Sequence, residues 1–337
     1  MSWLERHWDK VTPLSFLLLP VSGVFRLMVA ARRALYRAGL LRAVRLPVPV
    51  IVVGNLTVGG TGKTPLVQWL VGFLHVHGLK PGIVSRGYGG KRRAPRAVTA
   101  TSDPRECGDE AVMLAQCCNT PVWVGRDRAG AARALLAAAP ECDVIVSDDG
   151  LQHCGLARDV EIAVVDGRRG AGNGYLLPAG PLREPIARLK SVDAIVVNVS
   201  ESASVGISSI TPEAYAMALT GSEFHNLRDR DRRVGPDHFQ GRKVHAVAGI
   251  GRPERFFQHL RRLGLQFTEH SFPDHHPFKR ADLEFEDAEC IVMTEKDAVK
   301  CRDFAHERHW VLPVSADIDA AFGELVWRKL GKQPHGS

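Results

Sequence analysis

The sequence lacks the features that mark several large classes of protein. Aromatic residues make up only 7% of its 337 positions, and there is no zinc-finger spacing, no aromatic RNA-binding signature and no lysine-rich tail. We therefore expect no nucleic-acid partner. The seven cysteines include no C-x-x-C pair, and the chain has no internal repeat and no low-complexity tract. Scattered cysteines in odd number favour reduced thiols in a cytoplasmic setting over a disulfide framework.

The residues that are present indicate an ordinary globular chain with anionic partners. Hydrophobic residues make up 45% and charged residues 24% of a chain long enough for two domains. The 44 Lys and Arg outnumber the 37 Asp and Glu, which gives a net charge of +7 and a pI near 9.2. Such an excess favours phosphates or acidic lipid headgroups as partners.

The N-terminal segment, residues 1–45, is predicted to associate with a membrane without spanning it. Residues 11–25 carry no charge, but prolines and a glycine interrupt them, and they fall short of the ~20 apolar residues of a spanning helix. Residues 27–45 then place five arginines among apolar side chains. This composition is typical of a basic amphipathic helix on an anionic membrane surface. A helix packed on the protein's own core and a signal peptide remain as alternatives, although Glu5 and Asp9 disfavour the latter.

The most informative stretch is a phosphate-loop pattern that follows the apolar run 50–53. In such a loop, glycines let backbone N–H groups converge on phosphate oxygens, Lys63 reaches the β and γ phosphates, and the Thr64 hydroxyl ligates Mg²⁺. Thr57 stands where the usual pattern has glycine. A simple strand-to-helix turn would not require a lysine followed by a hydroxyl at the helix start. The residues predicted to cradle a phosphate are Thr57, Val58, Gly59, Gly60, Thr61, Gly62, Lys63 and Thr64.

The chain is predicted to form two α/β units. Between residues 46 and 205, short apolar runs alternate with helical stretches, which is typical of a parallel sheet with crossover helices. The polar residues 206–240 are predicted as a linker, and residues 241–337 as a second, smaller α/β domain. The predicted strands of the first unit are 50–53, 82–85, 122–124, 144–147, 162–166 and 194–198.

Two pairs of acidic residues are candidates for chemistry. Asp148 and Asp149 follow the buried run 144–147, at the sheet edge where a Walker-B-type acid holds Mg²⁺, although a solvated turn would also accept them. Gln152 and His153 are predicted to line the same crevice. Asp109 and Glu110 begin a helical stretch, where helix capping is the simpler explanation.

Three further segments carry candidate polar side chains. Residues 272–278 contain two adjacent histidines without a third ligand, so a histidine oriented beside a catalytic carboxylate is favoured over a zinc site. The glycine-rich basic loop 85–93 suits an anionic substrate near Arg86 and Tyr88, with a solvated loop as the alternative. Residues 294–297 lack the Asn-Lys-x-Asp spacing of GTPases, yet a nucleotide-base contact near Lys296 remains plausible.

Taken in this order, the motifs resemble those of the tetraacyldisaccharide 4'-kinase family, the membrane-associated lipid A 4'-kinases of Gram-negative bacteria. In that family Ser or Thr is ordinary at the position of Thr57. The resemblance covers nearly the whole chain and is carried by residues 54–65, 85–89, 108–110, 148–153, 272–275 and 294–297.

The resemblance implies ATP-dependent phosphorylation of a glycolipid, with Mg²⁺, at the cytoplasmic face of the inner membrane, by a peripheral or monotopic protein. The γ-phosphoryl group would pass to the 4'-hydroxyl of a tetraacylated glucosamine disaccharide 1-phosphate, which forms lipid IVA in lipid A biosynthesis. The implied fold class is α/β: a P-loop NTPase-type parallel sheet domain, a second, smaller α/β domain and an N-terminal amphipathic membrane-associated helix.

The resemblance also implies residue roles, and it replaces capping with catalysis at Asp109. Asp109 and His275 would form a base dyad across the two domains, so domain closure on ATP would assemble the site. Lys63 would neutralise charge on the transferred group, and Lys296 would lie near the nucleotide base. The residues implied for Mg²⁺ are Thr64, Glu110, Asp148 and Asp149, and those for the substrate are Arg86, Tyr88, Gln152 and His153.

Two other classes of protein remain as alternatives. A regulatory P-loop GTPase or metallochaperone is disfavoured because the Asn-Lys-x-Asp motif is missing. A non-catalytic membrane adaptor is disfavoured because Lys63, Thr64, Asp109 and Asp148 occur together. No motif assigns a role to His276.

Overall fold

The computed structural model describes residues 7–90, 94–199 and 214–331. Short 3-10 turns lie at Ile186–Ser191, Pro236–Phe239, Arg280–Leu283 and Arg302–Phe304. The α-helices of the described ranges are α1 (Pro13–Arg37), α2 (Lys63–Val76), α3 (Pro104–Cys107), α4 (Asp109–Cys117), α5 (Arg128–Ala138), α6 (Pro253–Arg262), α7 (Glu295–Cys301) and α8 (Ala320–Lys329).

The strands of the described ranges fall into two sheets. They are β1 (Val50–Gly54), β2 (Pro81–Ser85), β3 (Arg96–Val98), β4 (Val122–Val124), β5 (Val144–Asp148), β6 (Val160–Asp166), β7 (Ala194–Asn198), β8 (Ala214–Thr220), β9 (Phe224–Asn226), β10 (Arg233–Val234), β11 (Val244–Ala248), β12 (Thr268–Ser271), β13 (Cys290–Thr294), β14 (His309–Leu312) and β15 (Ser315–Ile318).

The first sheet has nine strands in the order β15-β8-β7-β6-β1-β5-β2-β4-β3. The seven inner strands, from β8 to β4 in this spatial order, are parallel to one another. The edge strands β15 and β3 pair antiparallel with their neighbours. The six predicted strands of this region are all present, and their apolar runs are continuous because helices cover both faces of the sheet. The parallel order places the carboxyl ends of β1, β5, β6 and β7 on one edge, where the candidate site lies.

The second sheet has six strands in the order β10-β9-β14-β13-β11-β12. Its four strands from β14 to β12 are parallel, and β9 and β10 extend it antiparallel. Phe224, Phe257 and Trp310 are fully buried in the core beneath it. The predicted α/β character of this part is therefore confirmed. All seven cysteines lie in the described ranges and are free.

The chain crosses between the sheets where the sequence predicts a linker. The described part of residues 206–240 contains β8, which extends the first sheet, and β9 and β10, which belong to the second. The linker prediction is wrong there. Only Met217 of β8 is buried, so this outer strand has no continuous apolar run that a sequence pattern would reveal.

The chain also returns to the first sheet at its C-terminal end. Strand β15 pairs with β8, and α8 packs Phe322 and Val326 into the core of the first sheet. The prediction that residues 241–337 form one separate domain is therefore wrong for this last part. The residues from 315 to 331 complete the first domain instead.

Helix α1 is continuous through the prolines that were predicted to interrupt it. Pro13 occupies the first turn, where its missing N–H costs nothing, and the Thr12 side chain accepts a hydrogen bond from the backbone N–H of Ser15. Beyond Pro20, the Ser22 hydroxyl donates to the backbone oxygen of Leu176. Contacts on both sides of Pro20 thus hold one helix, where the sequence predicts a separate basic helix over residues 27–45.

The length of α1 also changes the membrane prediction. By length and composition alone, α1 meets the criteria for a helix that could cross a membrane, and only 11% of its most apolar window is buried. A signal sequence meets the same criteria. The expectation that this segment is too short to span rests on the interruption, which the structure does not show.

Candidate active site at the junction of the two sheets

The predicted phosphate loop connects β1 to α2 at the centre of the first sheet. Gly62 precedes the helix with φ of +93°, a conformation that favours glycine. An added Cβ at Gly62 would lie 2.5 Å from Asn198 Nδ2, and this amide donates to the Thr61 backbone oxygen at 3.0 Å. The Asn198 side chain at the end of β7 therefore holds the loop in this conformation. Near its other end, the Val58 N–H donates to the Pro181 oxygen at 2.9 Å.

Lys63 and the Asp148–Asp149 pair meet beside this loop. Lys63 Nζ lies 3.5 Å from Asp149 Oδ1, and Arg183 lies 3.2 Å from Asp149 Oδ2. Burial opposes ionisation of Asp149, but Lys63 and Arg183 outweigh it and lower the pKa of this carboxyl to about 2. For Asp148, burial and the nearby carboxylates of Glu110 and Asp149 raise the pKa to about 7.

Asp148 is the residue in this cluster that best fits a magnesium ion. It is 1% exposed, and its Oδ2 accepts a hydrogen bond from the Ser85 hydroxyl at 3.1 Å. Its Oδ1 is buried without a hydrogen-bond partner among the described residues, which marks an oxygen free to ligate a cation. No three His, Cys, Asp or Glu side chains within the described ranges could hold a metal by themselves. A cation here would therefore need hydroxyl or phosphate oxygens as well.

The predicted dyad is assembled across the two sheets. Asp109 begins α4 and is 5% exposed, and His275 Nδ1 lies 2.9 Å from its Oδ2 and 3.0 Å from its Oδ1. Burial opposes ionisation of Asp109, but the hydrogen bond from His275 and the charges of Lys296 and Lys300 outweigh it and hold its pKa below the usual range. The pKa of His275 is raised, because the contact with Asp109 outweighs the effect of burial.

Lys296 lies beside the dyad, whereas the sequence predicts a nucleotide-base contact for it. Its Nζ is 3.1 Å from Glu110 Oε1, 3.2 Å from Asp274 Oδ1 and 3.4 Å from His275 Nε2. These carboxylates outweigh the effect of burial and raise the pKa of Lys296. Glu110, predicted as a metal contributor, is thus paired with a lysine.

Of the predicted substrate residues, Tyr88 lies beside the dyad, and Gln152 lies beside the phosphate loop. The Tyr88 ring is 5.2 Å from the His275 ring, and Arg86 beside it is exposed. Gln152 donates to the Asn55 oxygen at 2.9 Å and to Glu184 Oε1 at 3.0 Å. Burial, followed by the charge of Arg128, lowers the pKa of His153 to about 4, so this side chain is neutral. The other basic residues of the loop that contains Arg86 and Tyr88, residues 91–93, lie outside the described residues.

The adjacent histidine, His276, has a structural contact of its own. Its Nε2 lies 3.0 Å from Asp282 Oδ2, which also accepts a hydrogen bond from the Lys279 N–H. The two neighbouring histidines therefore point to different partners, His275 to Asp109 and His276 to Asp282.

Sequence reasoning missed several residues that hold the site together. Arg183 binds Asp149, Arg128 donates to the backbone oxygens of Asp148 and Asp149, and Lys300 lies 2.8 Å from Asp297 and 3.9 Å from Asp109. Helical spacing gives a signal for Lys300, because it lies one turn beyond Lys296 on α7. Arg128 and Arg183 are isolated arginines, and no pattern in the sequence marks them.

A parallel sheet with a phosphate loop, a Walker-B-type carboxylate and a carboxylate–histidine pair defines a P-loop kinase. The family model that describes tetraacyldisaccharide-1-P 4'-kinase matches residues 14–331. The chain belongs to this family of ATP-dependent lipid A kinases, as its motifs predict.

Known relatives agree over nearly the full length. The chain is 54% identical over 323 residues to the tetraacyldisaccharide 4'-kinase of Aromatoleum aromaticum, covering 96% of each chain. It is 52% identical over 330 residues to that of Azoarcus sp. strain BH72, covering 97% of this chain and 96% of the relative. A crystal structure of LpxK from Aquifex aeolicus in complex with ATP matches with a TM-score of 0.78 and 29% identity, over 94% of this chain and 99% of that one.

Proposed function

We propose that this chain transfers the γ-phosphoryl group of ATP to the 4'-hydroxyl of a tetraacyldisaccharide 1-phosphate, with Asp109 and His275 as its base. The observation that supports these roles is the 2.9 Å contact between His275 Nδ1 and Asp109 Oδ2. It joins a residue of the second domain to the first turn of α4. Helix capping alone does not account for the contact with a histidine of the second domain, whereas a catalytic base is commonly oriented by a hydrogen-bonded partner.

The geometry supports a proton path for the acceptor hydroxyl. Asp109 is held ionised, so its carboxylate accepts the proton as the hydroxyl oxygen attacks the γ phosphorus. The bond between the γ phosphorus and the β,γ-bridging oxygen breaks in the same step, and ADP is the leaving group. His275 orients the carboxylate and tunes its proton affinity. Lys63 and the N–H groups of the phosphate loop neutralise the charge that develops on the transferred group.

Mg²⁺ is the cation that we infer at this site. Asp148 Oδ1, which has no hydrogen-bond partner among the described residues, would hold it with the Thr64 hydroxyl. When bound, the ion would neutralise charge on the phosphate oxygens. Asp149 is paired with Lys63 and Arg183, so it would contact the ion through water and not directly.

His275→Ala is expected to lower kcat by about 10²-fold and to change the KM for ATP much less. The reason is that His275 contacts the proposed base, whereas the phosphate loop lies in the other domain. Steady-state kinetics with varied ATP separates the two effects. The matched control is His276→Ala, which removes the neighbouring ring but leaves Asp109 untouched. An unchanged kcat in the first variant would remove His275 from the proposed mechanism.

We also propose that α1 places this site at the cytoplasmic face of the inner membrane. One side of the helix faces the first domain, where Ser22 is buried, and the other side exposes large apolar residues. Leu17 is 74% exposed and Leu27 70%. Arg32 and Arg37 are exposed towards the end of the helix, where they suit anionic lipid headgroups.

The same helix leads from the proposed membrane surface to the crevice. Arg33 lies 3.3 Å from Glu184 Oε2, and Glu184 accepts a hydrogen bond from Gln152. Gln152 in turn reaches the backbone oxygen of Asn55 beside the phosphate loop. A lipid lying along α1 would therefore present its headgroup close to the phosphate loop.

The double substitution Leu17→Glu and Leu27→Glu is expected to weaken binding to anionic phospholipid vesicles by at least ~10-fold, because each leucine would lose ~1.5–3 kcal/mol of burial in lipid. Co-sedimentation with vesicles measures this loss. The matched control is Val76→Glu, at an 84% exposed apolar position on α2. Equal vesicle binding by all three proteins would contradict membrane docking through α1.

A further inference from the structure

A turn of the second domain lies directly over the phosphate loop of the first. It connects β11 to α6 and contains Gly249, Gly251 and Arg252. An added Cβ on Gly251 would lie 3.2 Å from the backbone nitrogen of Gly60 and 3.3 Å from Asp274 Oδ2. The two domains therefore meet at a loop whose N–H groups are predicted to bind phosphate.

This turn is fixed to the second domain by a buried carboxylate. The Gly249 N–H donates to Asp297 Oδ2 at 3.0 Å, and the Thr294 hydroxyl donates to the same oxygen at 2.7 Å. Asp297 is 0% exposed. These hydrogen bonds join the turn to β13 and α7 of the second domain.

The turn is attached to the first domain by a pair of ionic contacts. Arg252 lies 2.8 Å from Asp166 Oδ2, and Arg255 lies 2.5 Å from Asp166 Oδ1. Asp166 ends β6 and is 2% exposed. Its Oδ1 also accepts hydrogen bonds from the backbone N–H groups of Arg168 and Arg169. Such a carboxylate is held rigidly, and removing its charge would leave two arginines without their partner.

The position of Asp166 in the sheet gives these ion pairs a catalytic consequence. Strand β6 lies on one side of β1, and β5, β2 and β4 lie on the other, where α4 carries Asp109. The second domain thus contacts the first on both sides of the phosphate loop, through Asp166 and through Asp109. Contacts on both sides of the loop hold the orientation of the second domain more firmly than the packing of α7 on α4 alone.

We propose that Asp166 is a positioning residue for phosphoryl transfer, which clamps the second domain over the phosphate loop through Arg252 and Arg255. The clamp keeps His275 against Asp109 and touches neither the acceptor nor the transferred group. This inference rests on the proposed function of the dyad and extends it to a residue outside the motifs. The clamp acts on the geometry of the base, so its loss affects kcat more than binding of ATP.

The test compares Asp166→Asn in the native chain and in His275→Ala, with phosphate transfer and equilibrium binding of Mg-ATP as readouts. Asp166→Asn is expected to lower kcat at least ~10-fold in the native chain but less than ~2-fold in the His275→Ala background, since coupled residues are non-additive. The Kd for Mg-ATP is expected to change less than ~3-fold in both backgrounds, since the phosphate loop lies in the first domain. A merely structural role would instead cause equal losses in both backgrounds.

Glu161 provides a matched control on the same strand. Its carboxylate pairs with Arg158 at 2.8 Å and with Arg188 at 2.5 Å, all within the first domain. Glu161→Gln therefore removes a similar two-arginine contact without crossing the domains, and it is expected to change kcat less than ~2-fold. If Asp166→Asn fails to fold, Arg255→Gln, which leaves Asp166 paired with Arg252, takes its place in the same measurement.

The outcomes separate failure of the clamp from failure of the dyad. A native-background kcat that is unchanged by Asp166→Asn, or lowered equally in both backgrounds, would overturn the clamp. The clamp would also be overturned if the whole loss appeared in the Kd for Mg-ATP. A normal kcat in His275→Ala alone would instead show that the dyad assignment is wrong.

Discussion

Asp109→Ala is expected to lower kcat for phosphate transfer by about 10²- to 10⁴-fold, because general base catalysis contributes a factor of that size. Asp109 is buried, held ionised by its neighbours, and in contact with His275 across the domain junction. Asp274 approaches the other ring nitrogen of His275, with its Oδ2 at 3.8 Å from Nε2. Steady-state turnover with saturating Mg-ATP and acceptor measures the effect.

The control for this variant is an aspartate that caps a helix but has no part in the proposed dyad. Asp319 caps α8 by accepting a hydrogen bond from the Ala321 N–H at 2.9 Å. Asp319→Ala is expected to lose about 0.5–2 kcal/mol of stability through the missing cap and to keep its kcat. If Asp109→Ala behaved in the same way, capping would explain Asp109 and the base assignment would fail.

Lys63→Met is expected to lower kcat by about 10²- to 10³-fold, the cost of removing one donor that stabilises transition-state charge. Lys63 begins α2 at the end of the phosphate loop and lies 3.5 Å from Asp149 Oδ1. Its removal also takes away the largest of the attractions that lower the pKa of Asp149. The carboxyl would then keep Arg183 as its main counter-charge.

The measurement for Lys63 is turnover together with the affinity for Mg-ATP. Lys80→Met, at an exposed lysine just before β2, is the matched control and is expected to leave both quantities unchanged. Turnover by Lys63→Met within about 3-fold of the native chain would contradict the proposed phosphate contact, since a transition-state donor is worth far more.

The centre of the first sheet and its phosphate loop could be predicted from the sequence. Buried parallel strands such as β5 have continuous apolar runs, and Gly62-Lys63-Thr64 is a local pattern with a known shape. The edges could not be predicted, because β8 is mostly exposed and β15 pairs with it only after 94 intervening residues. No local signal encodes a pairing over that separation.

Helix α1 is a second case in which the local sequence does not predict the structure. Prolines and a glycine predict a break when the segment is considered alone. The helix is continuous because Ser15 and Ser22 contact the loop around Asn173 and Leu176, far along the chain. Tertiary contacts of this kind override local preference.

Some residues of the candidate site could be predicted from sequence motifs, and others could not. The motifs brought Asp109 and His275 to attention by resemblance, and the structure brings these two side chains together. Lys296 contacts α4 and residues 274 and 275, which no spacing in its own motif reveals, and its predicted nucleotide-base contact stays a prediction. Arg183 and Arg128 could not be predicted, because isolated arginines carry no sequence pattern.

The measurement that tests the proposed function most directly is transfer of labelled γ-phosphate from Mg-ATP to a tetraacyldisaccharide 1-phosphate in mixed micelles. The native chain is expected to form a product that depends on the acceptor and carries the label at the 4' position. A folded native protein that binds Mg-ATP but leaves this acceptor unlabelled would contradict the proposed substrate and reaction.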